Sequence, residues 1–423
     1  MVSGDYLIVG AGCFGASTAL ALKKAEPEAN VILVDRAAPS PSAAAHDLNK
    51  IIRAEYEDTM YMRLAIEAQE QWCTDPLLKS YYHETGILFA GIEGPGRTVI
   101  NAYETILGSG NSPAILLDTE ETKARFDVFR GCDWSDVTKC TWNPHAGWGD
   151  AANALQAVIQ AAIELGVKFI EGTVAKVNFD SSGRTSGIST LEGLDISAGK
   201  VLLCTGAQTP WLLVESAPDR PEVHAGKRMV AAASVMCSFK IPDDQKPKLS
   251  SAPIIVHPMG EYPGDASGLL KCTHERSFTH KVLHQASKQE LSVPPSRFTQ
   301  QTWSQDIPSG LKDEVAVVRN KLFGAWVENM EAQEYRMCWD AITPNQDWVI
   351  SAHPHVPDLY IIGGGSFHAW KFLPNVGKYV VQMLNGELSE ELAKRWAWDR
   401  SDEGANCVSY LPSRDLKDIP GYS

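Results

Sequence analysis

The sequence predicts an α/β fold: a parallel sheet wrapped by helices, with a second, largely antiparallel β-sheet domain interleaved into it. Three observations predict it. An apolar strand near the start runs straight into a glycine-rich turn and an amphipathic helix. Strand–glycine–helix units return far downstream, near residues 201 and 359. The stretches between them change texture, becoming richer in β-branched and aromatic residues, Pro and turns.

At 423 residues the chain is longer than one hydrophobic core usually supports, so two domains are expected. With 44% hydrophobic and 21% charged residues, its composition is that of an ordinary globular protein. The formal charge is −14, from 38 Lys+Arg against 52 Asp+Glu with no basic cluster. That balance argues against nucleic acid or an anionic membrane as partner and says nothing against a small substrate. No apolar run approaches the roughly 20 residues of a membrane span. The start, MVSGDYLIVGAG, enters a strand directly and lacks the parts of a signal peptide. Nine cysteines without framework spacing fit a reducing compartment, and the tail KDIPGYS is not a Ser-Lys-Leu address. A cytoplasmic monomer without a metal site is expected.

Tyr6-Leu7-Ile8-Val9 reads as a short strand, and GAGCFG follows at once, with Gly10, Gly12 and Gly15 around Cys13 and Phe14. ASTALALKKA then carries apolar residues at helical spacing. The second strand, VILV at 31–34, ends on Asp35, with Arg36 next. Strand, glycine loop, helix, strand and acid form the context of a dinucleotide fingerprint. Gly10 permits the tight turn, Gly12 lets the backbone approach a pyrophosphate, and Gly15 allows close helix–strand packing. The helix N-terminus faces the phosphates and Asp35 accepts from ribose hydroxyls. The ligand is FAD or NAD.

Residues 147–177 read as a loop, a long amphipathic helix and a strand carrying Val174. Residues 201–213, VLLCTGAQTPWLL, read as a strand running into a turn at Thr205 and Gly206. Residues 359–384 read as a strand, three glycines, a polar-aromatic loop and a helix. Returning units of this kind suit a Rossmann-type FAD-binding domain interrupted by insertions, because a nicotinamide domain is usually one contiguous block. The FAD-binding domain is therefore expected over 1–86, 147–217 and 333–390. A substrate domain is expected over 87–146 and 218–332, and a peripheral tail over 391–423.

Four stretches carry a resemblance: SAAAHDLNKIIRAEYED (42–58), SGLLKCTHE (267–275), YRMCWDAITPNQDWVI (335–350) and GGGSFHAWKFLPNVGK (363–378). Together, and in this order, they resemble the monomeric sarcosine oxidase family of flavin amine oxidases. The branch is similar to the fungal one that holds the fructosyl amino acid oxidases (amadoriases) and the saccharopine and pipecolate oxidases. The resemblance implies FAD held covalently through its 8α-methyl by a cysteine thioether, oxidation of the C–N bond of a secondary amino acid, and O2 reduced to hydrogen peroxide. It implies that Cys338 is the tethering cysteine and that Lys371 and Arg53 clamp the substrate carboxylate. Lys50 is implied near the flavin N5 and Lys271 where oxygen is activated. Gly365, Ser366, Phe367 and His368 fall in the cofactor loop of the last motif. His368 either lines the pocket or is a core residue bonded to a carbonyl, and His274 is given no role.

The leading reading is therefore an FAD-dependent oxidase of an N-substituted amino acid, with the small amine and O2 as its partners. Fructosyl amino acid, saccharopine or pipecolate, and N-methyl amino acid substrates all remain open. An NAD(P)-dependent dehydrogenase on the same first motif is a second reading, and a non-catalytic flavoprotein a third.

Overall fold

The strand Val2–Val9 pairs in parallel with Val31–Asp35 on one side and Asp195–Leu203 on the other. The computed structural model in which this is seen describes residues 2–249, 252–266, 268–295, 303–401 and 411–422. Ser267 of the second motif and residues 402–410 of the expected tail lie outside the described residues. Lys168–Glu171 extends the parallel sheet beyond Val31–Asp35, and Leu359–Gly363 extends it beyond Asp195–Leu203. Val349–Ala352 and the pair Val174–Phe179 and Thr185–Thr190 complete eight strands in antiparallel fashion. Leu7, Ile8, Leu33, Val34, Leu202 and Leu203 are fully buried, as central parallel strands covered on both faces must be.

The helix Cys13–Ala25 leaves the first strand through the glycine turn and packs against Ala151–Glu164 and Val376–Leu384. Gly10 turns at φ +101°, and a Cβ there would lie 2.4 Å from the Cys204 carbonyl oxygen. A Cβ on Gly15 would sit 1.8 Å from the Gly10 carbonyl oxygen, so only glycine lets the helix start this close to the strand.

The second sheet has nine strands. Ala332–Ile342, Val230–Lys240, Leu269–Phe278 and Gly260–Tyr262 lead through Ile254–His257 to Ile87–Gly91, Lys139–Asn143 and Ile115–Asp118. It is antiparallel except where Ile254–His257 runs alongside Ile87–Gly91. Its back face, including Val235, Cys237, Phe239, Leu270 and Cys272, is buried beneath Leu311, Val315, Val318 and Leu322 of the helix Ser309–Phe323. The alternate residues are left to face the parallel sheet.

Three sequence expectations are corrected. Residues 147–150, read as loop, form the middle strand of a small sheet between Asn49–Ile52 and Tyr82–Glu84. A Gly-Trp-Gly-Asp stretch has little strand propensity, and the ladders on both sides override it. The strand Ala332–Ile342, grouped by sequence with the FAD-binding segments, belongs to the second sheet, pairing with Val230–Lys240 along its length. The tail is no surface appendage: Trp396 and Trp398 are buried, and Trp396 stacks on Trp348 with centroids 5.2 Å apart. Arg395 binds Asp347 and Asp58, and Leu416 and Ile419 join the core under the second sheet. The tail's large aromatic side chains bury more apolar area than its charged residues suggest. No described helix is long and apolar enough to cross a membrane.

Candidate active site

The C-terminal ends of the parallel strands, Val9–Gly10, Val34–Asp35, Cys204–Thr205 and Gly363–Gly365, open into one cavity of about 2350 Å3. Ligands of open parallel sheets bind at such ends. The inward face of the second sheet forms the opposite wall. Every residue singled out from the sequence lines this cavity except Gly15, which packs beneath it, and the unassigned His274, which lies outside.

At the dinucleotide end, one Asp35 carboxylate oxygen accepts from the Ala11 backbone N–H at 2.7 Å and the other from Arg36 N–H at 2.7 Å. Burial raises the Asp35 pKa, while these N–H groups and the Arg36 guanidinium pull the other way. A Cβ on Gly12 would meet nothing nearer than Ala45 Cβ at 3.9 Å, so the backbone there is open to a close ligand. Val174, Thr205 and Gly206 line the same end, where Thr205 and Thr209 hydroxyls share a hydrogen bond of 2.8 Å. An open glycine cradle, a helix N-terminus and an acid at the end of the adjacent strand fit the phosphates and ribose of a dinucleotide such as FAD.

Cys338, 4% exposed, stands on the inward face of Ala332–Ile342, in register with Ser234. Arg336 and Asp340 flank it on the same face, two residues either side. Asp340 is half-buried, and loss of solvent raises its pKa; it accepts from the backbone N–H of Phe367 at 2.8 Å. That bond fixes a strained loop, because Ser366 and Phe367 both sit at left-handed φ, +49° and +62°. Arg336 donates to the Ala43 carbonyl at 2.7 Å and also to that of His46. The loop before Asn49–Ile52 is thereby tied to the strand that carries Cys338.

Lys50 and Lys271 come from different sheets and meet at one carboxylate. Asp47 Oδ2 accepts from Lys271 at 2.8 Å and from Lys50 at 3.1 Å, and Lys271 also donates to the Asn49 carbonyl at 2.9 Å. Burial alone would raise the Asp47 pKa, but Lys271, Lys50 and Arg336 hold it well below the usual carboxylate value.

At the other end of the cavity, Lys371 is 6% exposed and donates to Tyr56 Oη at 3.0 Å and to the His368 carbonyl at 2.8 Å. Burial and the nearby Arg53 guanidinium depress its pKa well below the usual lysine value, with Glu261 and Glu55 opposing. Arg53 stacks over the Tyr56 and Phe89 rings. Both nitrogens of His368 are engaged: Nε2 bonds the Gln346 carbonyl at 2.9 Å and Nδ1 meets Tyr56 Oη at 3.1 Å. A carbonyl can only accept, so Nε2 carries the proton and Tyr56 donates to Nδ1. Burial, with the charge of Lys371, lowers the His368 pKa to about 3. His368 thus stands as a neutral imidazole in a Lys371–Tyr56–His368 chain, lining the cavity while it donates to the Gln346 carbonyl.

The sequence reading missed Asp47, Tyr56 and Asp340. Asp47 lies three residues before Lys50 in the first motif, and Asp340 two residues after Cys338 on a strand. The i, i+2 spacing puts Asp340 on the face of Cys338, while Asp47 lies in the bend before Asn49–Ile52, where spacing says nothing of its direction.

A family model described as FAD dependent oxidoreductase matches residues 5–383. L-saccharopine oxidase of Schizosaccharomyces pombe is 28% identical, over 99% of this chain and 98% of its own. Monomeric sarcosine oxidase of a Bacillus species is 24% identical over 90% of this chain and 92% of its own. Among solved structures, fructosyl peptide oxidase from E. terrenum superposes with a TM-score of 0.85 at 26% identity, covering 100% of this chain and 98% of that one. These findings decide the dinucleotide in favour of FAD and set the dehydrogenase reading aside.

Proposed function

The chain belongs to the FAD dependent oxidoreductases, and from that premise we propose that it oxidises the C–N bond of an N-substituted amino acid, with O2 as acceptor and hydrogen peroxide as product. The observation that carries this reading is the meeting of Arg53 and Lys371 around Tyr56 in the cavity that the glycine loops and Cys338 also line. A guanidinium and an ammonium in one cavity wall form a site that suits a carboxylate, and an amino acid brings one. Saccharopine and sarcosine are N-substituted amino acids and a fructosyl peptide is an N-substituted peptide; these substrates, in the names of the relatives, support the same C–N chemistry.

In this mechanism the substrate carboxylate docks on Arg53 and Lys371, which fixes the amine and its neighbouring carbon in one orientation. Tyr56 holds Lys371 in place and is itself held by His368. Tyr61, Trp348 and Phe372 pack around His368 and exclude water from that wall. FAD, when bound, supplies the two-electron acceptor for the hydride equivalent lost beside nitrogen and returns the electrons to O2. Lys271 and Lys50 present positive charge where negative charge develops as oxygen is reduced. The released imine hydrolyses, or cyclises where the substrate carries a nucleophile. Cys338 holds the cofactor as an 8α-S-cysteinyl thioether, an assignment supported by its burial in the cavity wall and by the charges of Lys50 and Lys271 beside it.

A peroxide-coupled assay of the flavin-loaded protein against sarcosine, pipecolate, saccharopine, fructosyl-valine and fructosyl-lysine tests the proposal. Turnover of at least one is expected. Absence of peroxide with every N-substituted amino acid would overturn it.

A further inference from the structure

We propose that Asp47 is a positioning residue that acts through two lysines at once: the shared counter-ion that fixes Lys50 and Lys271 and keeps Lys271 charged at the flavin. This rests on the reading of Lys271 given above. The geometry carries it. The Asp47 side chain has 0% exposure, and a single oxygen, Oδ2, takes both ammonium groups. Its other oxygen accepts from the Leu48 N–H at 2.8 Å, and its carbonyl accepts from Ala152 N–H at 3.0 Å at the start of the helix Ala151–Glu164. The carboxylate is thus held by its own backbone, not by the lysines, and the lysines come to it.

The charges around it do not balance. Lys50 comes from Asn49–Ile52, Lys271 from Leu269–Phe278 and Arg336 from Ala332–Ile342, while His46 is the chain neighbour and Cys338 faces both lysines. Asp47 therefore faces three cations in this wall, and a second carboxyl group, Asp340 on the strand of Cys338, lies toward Lys50. Lys50, 19% exposed, keeps contact with the cavity, and Asp47 holds its pKa above the usual lysine value against the pull of burial. Lys271 is 4% exposed and is the weaker of the two, its pKa lowered by burial and by Lys50, with Asp47 opposing this. Without Asp47, a deeply buried ammonium would face two other cations and no acceptor but a backbone carbonyl, and it would lose its proton first. An inward charge at this point is an adjustable property, set by a residue that itself need not touch the cofactor.

The test compares flavin-loaded wild type with Asp47→Asn, Asp47→Glu, Lys50→Met and Lys271→Met. Lysine labelled at Cε is followed by 13C NMR from pH 6 to 9, where only lysines of depressed pKa titrate. Lys271→Met and Lys371→Met assign the moving signals. In Asp47→Asn the Lys271 signal is expected to titrate at lower pH than in wild type, and in Asp47→Glu to return toward it. Flavin reoxidation by O2 at pH 8 is expected to slow by about tenfold or more in Asp47→Asn and to recover as the pH falls, while Lys271→Met stays slow at every pH. A Lys271 titration unmoved in folded Asp47→Asn would overturn the proposal. A titration that moves while reoxidation does not would uphold Asp47 as counter-ion and reject Lys271 as the oxygen-side charge. Should Asp47→Asn not fold, Lys50→Met decides: it leaves Asp47 to Lys271 alone and must raise that titration, and no change would refute the sharing.

Discussion

Lys371 Nζ lies 3.0 Å from Tyr56 Oη, and this neutral hydroxyl stands where a carboxylate partner for the ammonium would be expected. Because burial and Arg53 depress the Lys371 pKa, its charge is present only below that lowered value. Binding of a simple carboxylate inhibitor is therefore expected to tighten as pH falls. Flavin absorbance titrations between pH 6 and 9 read this directly. Lys371→Met should weaken binding by about ten- to a hundredfold, the worth of a charge-assisted bond, and flatten the pH dependence. A slope that survives in Lys371→Met would assign it to another group.

Cys338 is expected to retain the flavin through acid precipitation of the active protein, with the yellow colour staying in the pellet. Cys338→Ala should release it while the secondary structure, read by circular dichroism, stays intact, since the thiol is a small group on a strand held by a long ladder. Active wild-type enzyme that loses all its flavin on precipitation would remove the thioether.

Lys271→Met separates the two halves of the reaction. Reoxidation of the reduced enzyme by O2 is expected to slow by about a hundredfold, near 3 kcal/mol of lost electrostatic stabilisation, while reduction by substrate changes little. Stopped-flow absorbance follows both, reduction without oxygen and reoxidation in a second mix. Crippled reduction with normal reoxidation would move Lys271 to the amine.

Glu314 ties three segments together, accepting from Arg414 at 2.8 Å and meeting His274 Nδ1 at 2.9 Å. Burial opposes its charge, but Arg414 and His274 prevail and lower its pKa to about 2. A carboxylate whose folded pKa lies below its unfolded one stabilises the protein above the unfolded value, and this contribution is lost as pH falls from 4.5 toward 2. Glu314→Gln is expected to melt about 1–2 °C lower than wild type at pH 7, a modest gap because the site is partly solvated. The gap should close near pH 2. A gap that persists there would assign the effect to packing.

The glycine cradle and Asp35 were legible in the sequence because their roles demand residue types that few others can fill: no Cβ at Gly10 and Gly15, a carboxylate at the end of a strand. Cys338, Lys371 and Arg53 were legible only through the resemblance of their motifs, since a lone thiol or cation carries no geometry. Asp47 was hidden because its meaning depends on Lys271, 224 residues away, and nothing local marks a shared counter-ion. The Ala332–Ile342 strand was assigned to the wrong sheet for a similar reason. The strands that follow it, Val349–Ala352 and Leu359–Gly363, belong to the parallel sheet, while its own hydrogen bonds run to Val230–Lys240. Trp396 looked peripheral because the charges around it, Arg395 and Asp399, dominate a reading by composition.

The strand Leu359–Gly363 slots beside Val201–Leu203, and the loop that follows it closes the cavity begun at Gly10. During synthesis the cradle leaves the ribosome early, yet it has no lid, no Cys338 and no Lys371 until most of the chain has emerged. Contacts this distant in sequence form late. The complete cavity is thus a product of long-range pairing, and it cannot precede the docking of Leu359–Gly363 beside Val201–Leu203.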